Sequence, residues 1–274
     1  MKTCPNINAN SKMIFFRATK YLKYILLSRH RKGHGIHSPF VFDLVSRIFR
    51  NKIDPDIVCC IENIRKKNIS DQRKIVVKDL GSGSEKMESG LRKVSDIAKY
   101  SPVPRKYGVL LSNMAAEFGS PLIVELGTSL GISTMYMAKS GTAAIVNTIE
   151  GSKAISEIAV ENFKEAGLDN IRIFTGSFDE IMPEIISGNN KPGLVFIDGN
   201  HRKEPLIRYF KQIEATAGSK TVVIIDDIYY SGEMLDAWNE IKNSSKASVT
   251  IDIFRMGIVF FRQGITRNNY IIRY

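Results

Sequence analysis

From residue 121 onward the chain repeats one unit five times: a short run rich in β-branched and aliphatic residues, then a longer helical pattern. LIVELG (122–127) precedes ISTMYMAKS, AIVNTIE (144–150) precedes SKAISEIAVENFKEAG, and IRIFTG (171–176) precedes FDEIMPEIIS. GLVFIDG (193–199) then precedes KEPLIRYFKQIEATA, and KTVVIIDDI (220–228) precedes GEMLDAWNEIKNS. Parallel strands need long crossovers, and right-handed helical crossovers cover both faces of the sheet they connect. Two further β-rich runs, ASVTIDIF and GIVFFR, are separated only by Arg255 and Met256. That gap permits a hairpin and forbids a crossover, so the last pair is predicted to be antiparallel. The expected fold class is therefore α/β, a doubly wound sheet of seven strands, mostly parallel, ending in a C-terminal antiparallel hairpin.

The first 107 residues do not share this repeat and are expected to form a mainly helical extension to a domain spanning 108–274. Segments 12–28 and 38–51 mix aromatic, aliphatic and basic residues at helical spacing, and HRKGHGIHSPF between them carries the Gly and Pro of a loop. Charge divides the same way. Residues 1–110 hold 23 Lys and Arg against 9 Asp and Glu, a net of +14 within a whole-chain net of +11, so the remainder is mildly acidic. A basic front suits nucleic acid, an anionic membrane surface or plain solubility. Cys4, Cys59 and Cys60 have neither disulfide-framework nor metal-ligand spacing. No apolar run is long enough to span a bilayer, and the first residues lack a secretory pattern, so a cytoplasmic location is expected.

VELGTSLGIST (124–134) lies at the end of the first strand and lacks the G-x-G-x-x-G spacing of a dinucleotide loop. Gly127 and Gly131, with Thr128 and Ser129 between them, remove side chains where backbone approaches a ligand. Glu150 ends the second strand, about where a ribose-binding carboxylate belongs. Glu125 would repel a pyrophosphate but can accept from the ammonium of an amino acid. A ligand with ribose, an amino acid and no phosphate answers both acids, and S-adenosylmethionine is such a ligand.

With Glu150 after the second strand and FIDG at the fourth, ELGTSLGISTMYMA resembles the first motif of the class I S-adenosylmethionine-dependent methyltransferases, which share a Rossmann-like sheet. More narrowly, its E-x-G-x-x-x-G-x-S frame is similar to that of the cation-dependent, catechol-type O-methyltransferases, over about residues 108–262. The resemblance implies that Glu125, Gly127 and Gly131 line the methionine part, Ser133 its carboxylate and Glu150 the ribose hydroxyls, with Gly176, Ser177 and Phe178 along the adenine. HGIHSPF likewise resembles a segment preceding such domains in a group of uncharacterised bacterial methyltransferases. A second glycine-rich stretch, IVVKDLGSGSEK (75–86), lacks the following helix and acid-ended strand and is read as a turn in the extension.

Methyl transfer to a hydroxyl needs attack geometry and a base, a metal, or both. Asp198 ends the fourth strand, and Asp226 and Asp227 end the fifth, so all three are expected at one crevice. An all-oxygen set of this kind suits Mg²⁺ or another divalent cation. In the resembling family the fifth strand ends in Asp-Asn, where this chain has Asp-Asp. Asp198 and His201 are the catalytic candidates; His201 falls where the catechol-type enzymes carry a lysine, and imidazole can take a hydroxyl proton near neutral pH. His30, His34 and His37 are interrupted by Gly33 and Gly35 with no acid completing a set, which favours a lid or substrate-edge loop over a metal site.

The leading expectation is an O-methyltransferase acting on a small hydroxylated acceptor such as a phenol. Its rivals are an RNA (tRNA) methyltransferase, with the basic extension on phosphates, and a non-catalytic module docked on a membrane by its basic N-terminus. A homodimer is compatible with all three.

Overall fold

The computed structural model describes residues 7–28, 35–78, 89–188 and 190–274. The N-terminal part contains α1 (Ile7–Leu27), α2 (Pro39–Ser46), a 3-10 turn at Ile48–Arg50 and α3 (Pro55–Ser70). It continues with β1 (Lys74–Lys78), β2 (Ser89–Lys93), α4 (Val94–Tyr100) and α5 (Arg105–Phe118). The alternating part follows as β3 (Leu122–Leu126), α6 (Ile132–Ala138), β4 (Ile145–Glu150), α7 (Lys153–Glu165), β5 (Ile171–Thr175) and α8 (Phe178–Ile186). It is completed by β6 (Leu194–Ile197), α9 (Lys203–Thr216), β7 (Val222–Ile225), α10 (Gly232–Lys242), β8 (Val249–Asp252), β9 (Gly257–Phe260) and β10 (Asn268–Ile271).

The large sheet has the order β10-β8-β9-β7-β6-β3-β4-β5. Strands from β7 to β5 pair in parallel, and β9 is antiparallel to both β7 and β8. From β3 the chain winds outward through β4 to β5, then returns to β6 on the other side of β3. That reversal opens a crevice beyond the carboxyl ends of β3 and β6, the usual ligand position in such sheets.

Burial explains the composition of the strands. LVFI of β6 and VVII of β7 are buried on both faces and so read as continuous apolar runs. Edge strand β5 is only partly covered and carries Arg172 and Thr175 on its exposed positions. Across the central strands, Ile123, Val146, Phe196 and Ile224 face one layer, whereas Val124, Val195 and Val223 face α8, α9 and α10. Local signals set the helix starts. The Ser38 hydroxyl accepts from the Val41 amide with Pro39 in the first turn of α2, and the Asp54 carboxylate accepts from the Asp56 amide at α3.

Three expectations are corrected or extended. The sheet has eight strands rather than seven, because Asn268–Ile271 adds a parallel edge strand to β8. Its NNYI alternates too little to announce itself and is held mainly by main-chain pairing. The extension, expected to be mainly helical, also holds β1 and β2, which form an antiparallel pair. Residues 75–78 of the second glycine-rich stretch lie in β1, whereas 79–88, which hold the rest of it, lie outside the described residues, as do His30, His34 and Cys4.

The expected boundary between 107 and 108 falls inside α5. Leu110, Leu111 and Met114 of α5 pack with Val41, Leu44, Ile48 and Phe49 on the same sheet face as Ile123 and Phe196. Each such side chain contributes about 1.5–3 kcal/mol on full burial, so the extension shares one core with the sheet. Helix α1 is tied to the far end of the chain: the Tyr24 hydroxyl donates to the Ile272 carbonyl at 2.7 Å, and the Phe254 ring lies 4.9 Å from Tyr21 and 5.4 Å from Tyr24. This anchoring brings Arg17 to the crevice.

Candidate active site

A cavity of about 700 Å³ opens at the topological switch point. Its size is that of a small-molecule site. One end is built from strand ends. After β3, the Gly127 and Thr128 amides donate to the Ile149 carbonyl at 3.0 and 3.2 Å, which ties the loop to the end of β4. Gly127 has φ +103°, and a Cβ there would lie 2.1 Å from the Asp198 carbonyl oxygen, so only glycine lets the loops after β3 and β6 meet. At the end of β4, the Glu150 carboxylate accepts from the Ser129 and Ser152 amides, each at 2.9 Å. Those bonds fix its orientation at the cavity wall. Gly176, Ser177 and Phe178 follow β5, and the Ser177 hydroxyl caps α8 by accepting from the Asp179 amide at 3.2 Å.

Thr128, Ser129, Ser133, Asp198, His201 and Asp227 also line this cavity, beside Gly127, Glu150 and the 176–178 segment. Glu125, Gly131 and Asp226 do not line it. Glu125 is fully buried beneath the loop, where its carboxylate accepts from Ser133 at 2.6 Å, Thr148 at 2.7 Å and Thr134. Burial pushes its carboxyl up to about 7, against the pull of those three hydroxyls. Ser133 therefore uses its hydroxyl on Glu125. Gly131, at φ +79°, is backed by the Phe163 ring, 2.3 Å from where a Cβ would sit, so its role is packing at the start of α6.

At the other end, Arg17 of α1, Tyr230 after β7 and Arg255 of the turn between β8 and β9 complete the wall. None of them had a sequence signal of its own. The His201 ring stacks on Tyr230 with centroids 5.3 Å apart, and its Nε2 lies 4.0 Å from Asp198 Oδ1. Arg17 donates through Nε to the Tyr230 carbonyl at 3.2 Å, with its guanidinium carbon 4.5 Å from that ring. Burial lowers the basicity of His201, and Arg255 and Arg17 lower it further against the opposing pull of Asp227. The Asp198 carboxyl is pushed well above the usual range, first by burial and then by Asp226 and Asp227. Asp226 rises to about 6, chiefly through burial and Asp227, opposed by Arg255.

The cavity offers groups that ask for a ligand: Ser129 Oγ and Asn200 Oδ1 are buried without a hydrogen-bond partner among the described residues, and both residues line it. Together with the glycine loop and the oriented Glu150, they fit a polar nucleoside-like molecule. A divalent cation fits less well. Both oxygens of Asp226 are taken by Arg255, at 3.0 Å from Nε and 2.6 Å from Nη2. No three described His, Cys, Asp and Glu side chains are grouped so as to hold a metal ion.

Comparison with known proteins follows the same geography. Residues 124–228 match the family described as a methyltransferase domain. Over 165 residues the chain is 28% identical to a catechol O-methyltransferase of Niastella koreensis, covering 59% of this chain and 68% of that protein. The fold is shared with an O-methyltransferase from Bacillus cereus solved with S-adenosylhomocysteine (TM-score 0.55, 18% identity, 81% of this chain and 97% of that one). It is also shared with an O-methyltransferase of Streptomyces achromogenes involved in tomaymycin synthesis, solved with S-adenosylmethionine (TM-score 0.53, 17% identity, 81% and 95%). The family match includes the loops around Gly127 and Asp227 and leaves out Arg17 and Arg255.

Proposed function

We propose that this chain, whose residues 124–228 match a methyltransferase domain, is a class I S-adenosylmethionine-dependent methyltransferase that methylates the oxygen of a small hydroxylated acceptor held between His201, Tyr230 and Arg17. One observation carries the reading: a single cavity holds the glycine loop, Glu150 and Asp198 together with His201, Tyr230 and Arg17. The cofactor, when bound, supplies a methyl group on a sulfonium, and its binding falls to Gly127, Thr128, Ser129, Glu150, Gly176, Ser177 and Phe178. Glu150 is poised for ribose hydroxyls because two main-chain amides already fix its carboxylate.

His201 is the general base. A histidine kept neutral has an open ring nitrogen for the acceptor's proton, and stacking on Tyr230 limits its swing. His201 would take the proton of the acceptor oxygen as that oxygen attacks the methyl group, which a bound S-adenosylmethionine would release with the carbon–sulfur electron pair left on sulfur. Holding the two partners in line is the larger share of such catalysis, worth up to about 7–11 kcal/mol. The side chains available for positioning are the Arg17 guanidinium and the Tyr230 ring. A flat acceptor with an anionic or hydrogen-bonding edge matches both.

The test is transfer of labelled methyl from S-adenosylmethionine into a metabolite extract fractionated into small molecules and RNA. Label among small molecules supports the reading. Label in RNA overturns the acceptor class and makes the basic extension the recognition surface. No helix of the described residues is long and apolar enough to cross a membrane.

A further inference from the structure

We propose that Arg255 provides the positive charge that the strand-end carboxylates require, in the place where they would otherwise take a divalent cation, so that methyl transfer by this chain does not depend on added metal. The proposal rests on the methyltransferase reading above.

The ends of β6 and β7 bring Asp198, Asp226 and Asp227 to one crevice, and gathered carboxylates need a counter-charge. A cation bound by oxygens is one solution. A guanidinium is another, and it is the one built here. Arg255 grips both oxygens of the fully buried Asp226 in the parallel, two-bond arrangement that suits guanidinium and carboxylate. The same Nη2 stands 3.8 Å from Asp227 Oδ1. Mg²⁺ needs its oxygen ligands at about 2.0–2.1 Å in near-octahedral array. Recruiting Asp226 would break the Arg255 pair and set a dication against a displaced guanidinium.

Arg255 is also fixed by its own backbone. Its amide donates to the Ile253 carbonyl at 3.0 Å, its carbonyl accepts from the Ile228 amide at 3.2 Å, and its guanidinium carbon lies 5.7 Å from the Tyr107 ring. The turn between β8 and β9 is thereby locked to the segment following Asp227, the residue whose own φ of +52° turns the chain at the end of β7. Asp198 and Asp227 remain on the cavity wall, and among the described residues no third His, Cys, Asp or Glu is grouped with them. Arg255 acts through Asp226 and Asp227 and is thus a positioning residue.

The experiment is a titration of the full chain with Mn²⁺, reading free and bound ion by electron paramagnetic resonance, beside calorimetry with S-adenosylhomocysteine. The wild type is expected to bind no stoichiometric Mn²⁺ up to about 1 mM while binding S-adenosylhomocysteine, and its methyl transfer is expected to survive EDTA unchanged. Arg255→Met, which removes the charge and keeps much of the length, is expected to gain Mn²⁺ affinity by at least about tenfold, a change that mere loosening of the fold does not produce. One Mn²⁺ per wild-type chain below about 0.1 mM, lost in Asp227→Ala, would overturn the proposal while leaving the methyltransferase reading intact. Failure to bind S-adenosylhomocysteine strikes that reading instead. If Arg255→Met does not fold, the wild-type titration and the EDTA comparison still decide.

Discussion

The two ends of the cavity are made in different ways. The end proposed for the cofactor is assembled from the carboxyl ends of β3, β4, β5 and β6, each followed within a few residues by a glycine, acid or serine that lines the cavity. The end proposed for the acceptor draws Arg17 from α1, Tyr230 from the loop after β7 and Arg255 from the turn between β8 and β9. Main-chain geometry rules the first, where a Cβ at Gly127 has no room. Long side chains from distant segments rule the second. A sheet end generic to a fold can therefore hold one cofactor while the surrounding segments change the acceptor.

Substitutions can sharpen this division, beginning with the largest effect. His201→Ala removes the base and is expected to lower turnover by roughly 10²–10⁴-fold while leaving S-adenosylmethionine affinity within about twofold, read by steady-state kinetics and calorimetry. Equal loss in binding would move His201 to the cofactor end. Glu150→Ala should act in the opposite sense, weakening cofactor affinity by roughly 10–100-fold, since it removes the ribose acceptor and frees the Ser129 and Ser152 amides. Retained affinity would show that ribose sits elsewhere. Arg17→Ala is expected to reduce kcat/KM for the acceptor by about tenfold with cofactor binding unchanged. An unaltered kcat/KM would remove α1 from acceptor recognition.

The last effect concerns Glu125, which lies beneath the loop, and is read in stability instead of activity. Its folded-state carboxyl titrates at about 7 instead of 4.5. Because the folded value is the raised one, the stabilisation from its protonated form is complete below about pH 4.5 and is lost as pH rises through 7, a change of about 3 kcal/mol at most. Glu125→Gln should flatten the decline of Tm between pH 5 and 8. A slope identical to that of the wild type would show that the carboxyl is not protonated in the folded chain at pH 5.

The fold was legible because its signal is local and repeated: five strand-then-helix units and a short hairpin gap are properties of adjacent residues. That Gly127, Glu150 and the segment at Gly176 line one cavity was legible for the same reason, since each marks the end of a strand. Depth was not. Glu125 was expected at the ligand, yet alternation along β3 turns its side chain beneath the loop toward Ser133, Thr134 and Thr148. β10 and the β1–β2 pair escaped because edge and surface strands lack a strong apolar pattern. Arg255 was visible in the sequence as one of two residues between the last two β-rich runs, but its partner Asp226 lies 29 positions away. Pairing across such a distance is set by register in the folded sheet, which periodicity does not encode.

The division between the two ends is tested most directly by calorimetric titration of S-adenosylmethionine into the wild type, Glu150→Ala and Arg17→Ala under one set of conditions. The account predicts a single site in the wild type, at least about tenfold weaker binding in Glu150→Ala, and affinity within about twofold of wild type in Arg17→Ala. No binding to the wild type, or equal losses in both variants, would contradict it.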